Sequence, residues 1–134
     1  KNVVDMSHMF EDCHQVTSID LSRFDTKKVE NMEFMFNGCS NLREFTPSLA
    51  GLTKLEYSGW MFLGCILNED SIRNILGTLP DRTGKTEKLS IDIGGDATMG
   101  QSAKDELSSL AHSVSTRKNW HITLTWNTPP TQTV

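Results

Sequence analysis

A phrase of eight residues occurs three times in this chain. It reads Met6-Ser7-His8-Met9-Phe10-Glu11-Asp12-Cys13, then Met32-Glu33-Phe34-Met35-Phe36-Asn37-Gly38-Cys39, then Ser58-Gly59-Trp60-Met61-Phe62-Leu63-Gly64-Cys65. The cysteines fall 26 residues apart at each step, and so do the Met-Phe pairs before them. A fixed period of roughly 20–50 residues marks a stacked-repeat architecture. One such unit cannot bury its apolar side alone, so the copies must stack to make a continuous core. That core is expected to hold Met9, Phe10, Cys13, Met35, Phe36, Cys39, Met61, Phe62 and Cys65.

Residues at equivalent places in stacked repeats point the same way. Parallel side chains do not offer the near-perpendicular torsion of a disulfide. A free cysteine behaves as a small buried hydrophobe. The three cysteines, an odd number, are therefore expected as a buried thiol ladder rather than a disulfide or a metal site.

In the first repeat the apolar positions are Val3, Met6, Met9, Phe10, Cys13, Val16, Ile19, Leu21 and Phe24. Their early spacing suits a short helical or 3₁₀-like turn. The alternation after Val16 predicts a brief strand over 18–21, and Ser22-Arg23-Phe24-Asp25-Thr26 turns the chain back. The second repeat matches at Val29, Met32, Met35, Phe36, Cys39, Leu42 and Phe45, and Pro47 limits its strand to 43–46. In the third, Trp60 intrudes before Met61, and Ser58 replaces the first methionine.

After Cys65 the pattern changes. Asn68 is a good N-cap, Glu69 and Asp70 suit a first helical turn, and Ile72, Ile75, Leu76 and Leu79 recur at helical spacing until Pro80. Leu89-Ser90-Ile91-Asp92-Ile93 alternates as a half-buried strand, closed by Gly94-Gly95. A second helix is expected with Ser102 as its cap and Ala103, Leu107, Leu110, Ala111 and Val114 as its stripe. Trp120 to Trp126 alternates as a last strand. Strands separated by helices imply parallel pairing with right-handed crossovers. The expected organisation is three repeats over 1–67, a helix–strand–helix–strand cap over 68–126, and a linker-like tail over 127–134.

The chain carries 17 acids against 13 bases, a net charge of −4, which speaks against a nucleic-acid or anionic-membrane surface. No apolar run approaches the roughly 20 residues of a membrane span. The opening, Lys1-Asn2-Val3-Val4-Asp5, falls inside a repeat, so the chain reads as part of a longer protein.

Val-x-x-Met-x-x-Met-Phe-x-x-Cys followed by Ile-Asp-Leu-Ser-x-Phe-Asp-Thr resembles the repeat of BspA-type leucine-rich-repeat surface proteins of bacteria. Residues 3–26 carry the resemblance best, 29–45 well and 55–65 in part. The ending Lys118-Asn119-Trp120-His121-Ile122-Thr123 is similar to the Lys-Gly-Trp ending that often follows such repeats, with Asn119 for the glycine. The resemblance implies an α/β leucine-rich-repeat solenoid: short parallel strands in three thin coils, then two helix–strand capping units. It implies surface display or secretion and an adhesive or protein-binding role. It implies no catalytic residue.

Other chemistry fails on its spacing. Gly84-Lys85-Thr86 lacks the earlier glycine of a phosphate loop, since Leu79 stands there. Cys13-His14 invites a thiol nucleophile, but the repeat buries Cys13. His8, His14, His112 and His121 have no metal-ligand spacing, and the aspartates do not gather into a calcium loop. No cofactor, metal or enzymatic activity is expected.

The lead expectation is a non-enzymatic module binding a protein or glycan, with a structural spacer as the alternative and an accessory domain of an enzyme as a third. A binding face should present clustered aromatics or arginines on adjacent strands. The outward strand positions are Ser18, Asp20, Glu44, Thr46, Ser90, Asp92, Thr123 and Thr125. They are small, polar and slightly acidic, which leans towards a spacer or a weak polyvalent binder. The open upper side of the first coil (Val3, Val4, Met6, Met9 and Phe10) is expected to self-associate.

Overall fold

The computed structural model describes residues 3–21 and 24–130. The expected turn residues Ser22 and Arg23, and the last four residues of the expected tail, lie outside that set. The architecture is mixed α/β. In chain order it comprises β1 (Ser18–Ile19), β2 (Glu44–Phe45), β3 (Phe62–Leu67), α1 (Glu69–Thr78), β4 (Leu89–Asp96), α2 (Gln101–Lys118) and β5 (Trp120–Asn127). β1 pairs with β2, and β3-β4-β5 form a second sheet; all pairs are parallel.

Each repeat phrase folds as a run of 3₁₀-like turns, one of the two forms that its spacing predicts, and not as a continuous helix. Alternate amides do different work. Met6, His8, Phe10 and Asp12 donate to the carbonyls of Asn31, Glu33, Met35 and Asn37 in the next repeat, at 2.8–3.0 Å. Met32, Phe34, Phe36 and Gly38 donate likewise to Tyr57, Gly59, Met61 and Leu63. Of the amides between them, those of Met9, Glu11 and Cys13 fold back three residues to Met6, His8 and Phe10, while those of Ser7 and Glu33 donate to the side chains of Asp5 and Asn31. Every second N–H is thereby spent on the neighbouring repeat, which a continuous helix forbids.

This backbone needs left-handed residues at a 26-residue interval. His8, Phe34 and Trp60 have φ of 60°, 58° and 55°; Asp12, Gly38 and Gly64 have 58°, 78° and 86°. At Gly38 glycine suits the left-handed φ of 78°, and a Cβ there would stand 2.0 Å from Asp12 Oδ1, so that carboxylate would have to move aside.

The core is a column of phenylalanines. Phe10, Phe36 and Phe62 stack at centroid spacings of 5.6 and 5.3 Å, and Phe45 meets the last two edge-on. Met35, Phe36, Cys39, Met61, Phe62 and Cys65 are buried. Three positions of the expected core differ. Met9 is 42 % exposed, and Phe10 and Cys13 are half-buried. They belong to the first repeat, which among the described residues has a neighbouring repeat on one side. The cysteines are all free. Cys39 Sγ donates to Phe10 O at 3.0 Å, and Cys65 Sγ to Phe36 O at 3.3 Å.

The third phrase leaves its turns early and becomes β3, an extended strand that the repeat pattern does not announce. α1 then replaces the thin return path. Asn68 caps it by accepting from Ser71 N, and Ser71 Oγ accepts the amide of Phe45 at 2.8 Å. Asn74 donates to the carbonyls of Phe45 and Pro47, and Thr78 Oγ1 accepts from Leu49 N. Side chains of α1 thus satisfy the edge left by the second repeat.

Two further expectations are corrected. β4 runs through Gly94 and Gly95 instead of stopping there, pairing with Thr125 and Trp126 of β5; glycine is kept at 95 because a Cβ would lie 2.5 Å from the Trp126 ring. α2 begins at Gln101 with Gly100 as N-cap, not Ser102. The chain enters it from a turn held by Asp96, whose carboxylate accepts from the Thr98 amide and hydroxyl. Asn119 closes α2 in the left-handed conformation, φ 62°. The buried Trp120 then donates its indole N–H to Pro80 O at 2.8 Å.

Phe36→Ala is expected to cost roughly 3–5 kcal/mol, since Phe36 is fully buried between Phe10 and Phe62; urea unfolding checks this. A thiol reagent should modify about one equivalent in the native protein, at half-buried Cys13, and three after unfolding. Burial pushes the Cys39 thiol from 9.0 up to about 11, and Cys65 also upward. A pKa raised by folding stabilises the protein below the unfolded value and loses that contribution as pH climbs through the folded one. Between pH 9 and 11 the urea midpoint should therefore fall, and fall less in Cys39→Ser.

Candidate functional site

The residues expected on the interaction face divide between two sheets. Ser18 and Glu44 are partners in the β1–β2 pair, with Asp20 and Thr46 just beyond; all four are exposed. Ser90, Asp92, Thr123 and Thr125 lie on β4 and β5, where Asp92 pairs with Thr123. Asp92 and Thr125 are tied into the fold. Asp92 is half-buried and accepts the Trp60 amide at 3.0 Å. The Thr125 hydroxyl is buried with no partner. Neither group of four presents an aromatic or an arginine.

The aromatic surface lies on the turns instead. His8, Phe34 and Trp60 occupy the same place in successive repeats, so Trp60 is not an intrusion but the third member of a column. His8 stacks on Phe34 at 4.8 Å and 12°, and Phe34 on Trp60 at 4.8 Å and 17°. That spacing is the separation of adjacent strands, so the rings stack because the backbones do. Phe34 is half-buried, Trp60 is 46 % exposed and Tyr57 beside it is 54 % exposed.

The signal for this column is in the sequence. Position three of the phrase is histidine, phenylalanine and tryptophan in turn, while its apolar neighbours vary little. An eye on the conserved spacing of Met, Phe and Cys passes over it. A bulky side chain at φ near +60° is uncommon, and such strain costs roughly 1–3 kcal/mol per residue. Repeated three times, it stacks the three rings in one column.

The column ends where the repeats end. Phe34 covers one face of Trp60, and the next layer, β4, carries Ser90 and Asp92 but no ring at that level. A cleft of about 510 Å³ opens there, lined by Tyr57, Trp60, Glu33, Glu56, Glu87 and Asp92, with Lys88, Ser90 and Thr123 among its other walls. Glu33 reaches over Gly59, where a Cβ would stand 3.7 Å from its Oε2. Ser58 is tied down by its bond to Ser90 O at 2.6 Å. At the far end of the column His8 pairs with Glu11 at 2.7 Å; bonds from His8 and then Asn37 hold the Glu11 carboxyl below its usual pKa.

Among the described residues, no three His, Cys, Asp or Glu side chains gather as a metal site requires. No helix among them is long and apolar enough to cross a membrane. Arg43 and Asp96 form an ion pair at 2.7 Å. Burial pushes the Asp96 carboxyl up, but its bonds from Thr98 and Arg43 outweigh this and hold it low. That pair joins the second repeat to the end of β4 and is structural.

No curated protein and no solved structure matches the chain. A family model does match, over residues 1–72, more than half of the 134 residues and all three repeat phrases. The chain therefore belongs to the family described as Mycoplasma protein of unknown function, DUF285.

Proposed function

We propose that this chain is a non-enzymatic binding module: a leucine-rich-repeat solenoid of the BspA kind, displayed on a cell surface or secreted, that meets a protein or glycan through its turn face. The observation that carries the reading is the surface ring column of exposed His8, half-buried Phe34 and exposed Trp60, with Tyr57 beside its end. Aromatics supply large contact area at little cost in side-chain entropy, and they dominate binding energy in protein interfaces. Their backbone strain serves no packing need in the core, because the rings lie outside it. Family membership supports a repeat protein, and the resemblance of residues 3–26 to surface repeats supports the location.

A spacer role is favoured for the opposite reason on the strand side, where Ser18, Asp20, Glu44 and Thr46 are exposed, small or acidic, and bland. The two readings separate on one comparison. The chain and its Trp60→Gly variant, which keeps the left-handed backbone without strain, are applied to an array of purified extracellular proteins and glycans. Saturable binding that weakens about 10- to 30-fold in Trp60→Gly, and is unchanged in Ser18→Ala/Thr46→Ala, is the expected result. Binding that ignores Trp60, or no saturable binding, overturns the module and leaves the spacer.

A further inference from the structure

We infer that the cleft at the end of the ring column takes an arginine side chain of a partner protein, its guanidinium stacking on Trp60 as the next member of the column. This rests on the binding-module reading above and names the chemistry of its ligand.

The stacking geometry comes first. Three flat rings are piled at 4.8 Å, and the pile stops at Trp60 although the backbone layers continue into β4. The outer face of Trp60 is left beside an opening rather than a fourth ring, and the residue is 46 % exposed. A planar group one layer further on completes the pile.

The walls then select the charge of that group. Of the titratable side chains lining the cleft, Glu33, Glu56, Glu87 and Asp92 are acids and Lys88 is the one base. Among the described residues, no ion pair involves Glu33, Glu56 or Glu87. Tryptophan is the best aromatic partner for a cation, and the interaction strengthens as the site loses water. A guanidinium answers both demands: it is planar, always charged, more weakly hydrated than an ammonium, and able to stack on a ring while bonding a carboxylate in its own plane. Asp92 Oδ2 receives the Trp60 backbone amide at 3.0 Å, which holds that carboxylate at Trp60 in the wall of the cleft. A lysine lacks the plane. A sugar ring has the apolar face for Trp60 but no charge to meet four carboxylates.

The test is a titration of the isotope-labelled full chain, followed by amide and indole resonances, with four probes: acetyl-Gly-Arg-Gly-Ser-amide, its lysine and citrulline counterparts, and a neutral chito-oligosaccharide. Citrulline keeps the plane and loses the charge. The arginine peptide is expected to shift the Trp60 indole and the Asp92 and Gly59 amides. It should bind several-fold more tightly than the lysine peptide and at least 10-fold more tightly than the citrulline one, and should weaken several-fold when salt is raised from roughly 0.05 to 0.5 M. Trp60→Gly should abolish the shifts. Asp92→Asn, which keeps an acceptor for the Trp60 amide, should weaken binding about 10-fold while leaving the melting temperature near that of the parent. Equal binding of the citrulline or lysine peptide overturns the inference, and so does an oligosaccharide that shifts these residues when the arginine peptide does not. If an array ligand depends on Trp60 yet the arginine peptide neither binds nor competes with it, the arginine inference falls and the binding module stands. If array binding ignores Trp60, both fall.

Discussion

The structure depends on how each repeat phrase divides its amide hydrogens. One N–H folds back three residues and tightens the turn; the next reaches across to the following repeat. A helix would keep all of them to itself, and a flat strand would fold none back. The division lets a segment of only eight residues be both compact and paired. Its cost is the left-handed backbone at the third and seventh positions of the phrase, of which the second is eased by Asp12, Gly38 and Gly64.

Two ring columns follow from that one ladder. Phe10, Phe36 and Phe62 stack inward and exclude water; His8, Phe34 and Trp60 stack outward two positions earlier. Both spacings are set by the backbone layers, so neither column slips without the other. The inner column gains its stability from burial and close packing. The outer one returns less, since much of Trp60 remains in water. Large rings held at strained positions with partial burial return little stability, which supports the proposal that the surface column meets a partner.

The helices solve a different problem. Past the second repeat the chain must satisfy an edge that has no further thin repeat beside it. α1 does so with side chains: Ser71, Asn74 and Thr78 bond the backbone of residues 45–49. Pro47 has no N–H to offer, and Asn74 meets its carbonyl directly. α2 then packs against α1 and β5, and Lys118 at its end donates to the carbonyls of Gly77 and Leu79. The change from thin to thick layers at Asn68 is therefore a change in how orphan backbone groups are paired.

By itself the sequence determined the period, the parallel sense of the strands, and the helix that Asn68 caps and Pro80 ends. These are local or register properties: a 26-residue repeat, a capping side chain, a missing N–H. Tertiary structure decided which apolar positions are covered. Met9, Phe10 and Cys13 have the same letters as Met35, Phe36 and Cys39, yet they lie at the side with one neighbour and are more exposed. It also decided the surface. The strand positions chosen by alternation carry small polar and acidic side chains, whereas the rings at position three form a column because consecutive backbones bring them to 4.8 Å. Nor does the sequence announce β3, because Cys65 keeps its register while the backbone around it extends to pair with β4. Burial and ring stacking are set by what lies one layer above and below, and a residue's own sequence neighbours do not carry that information.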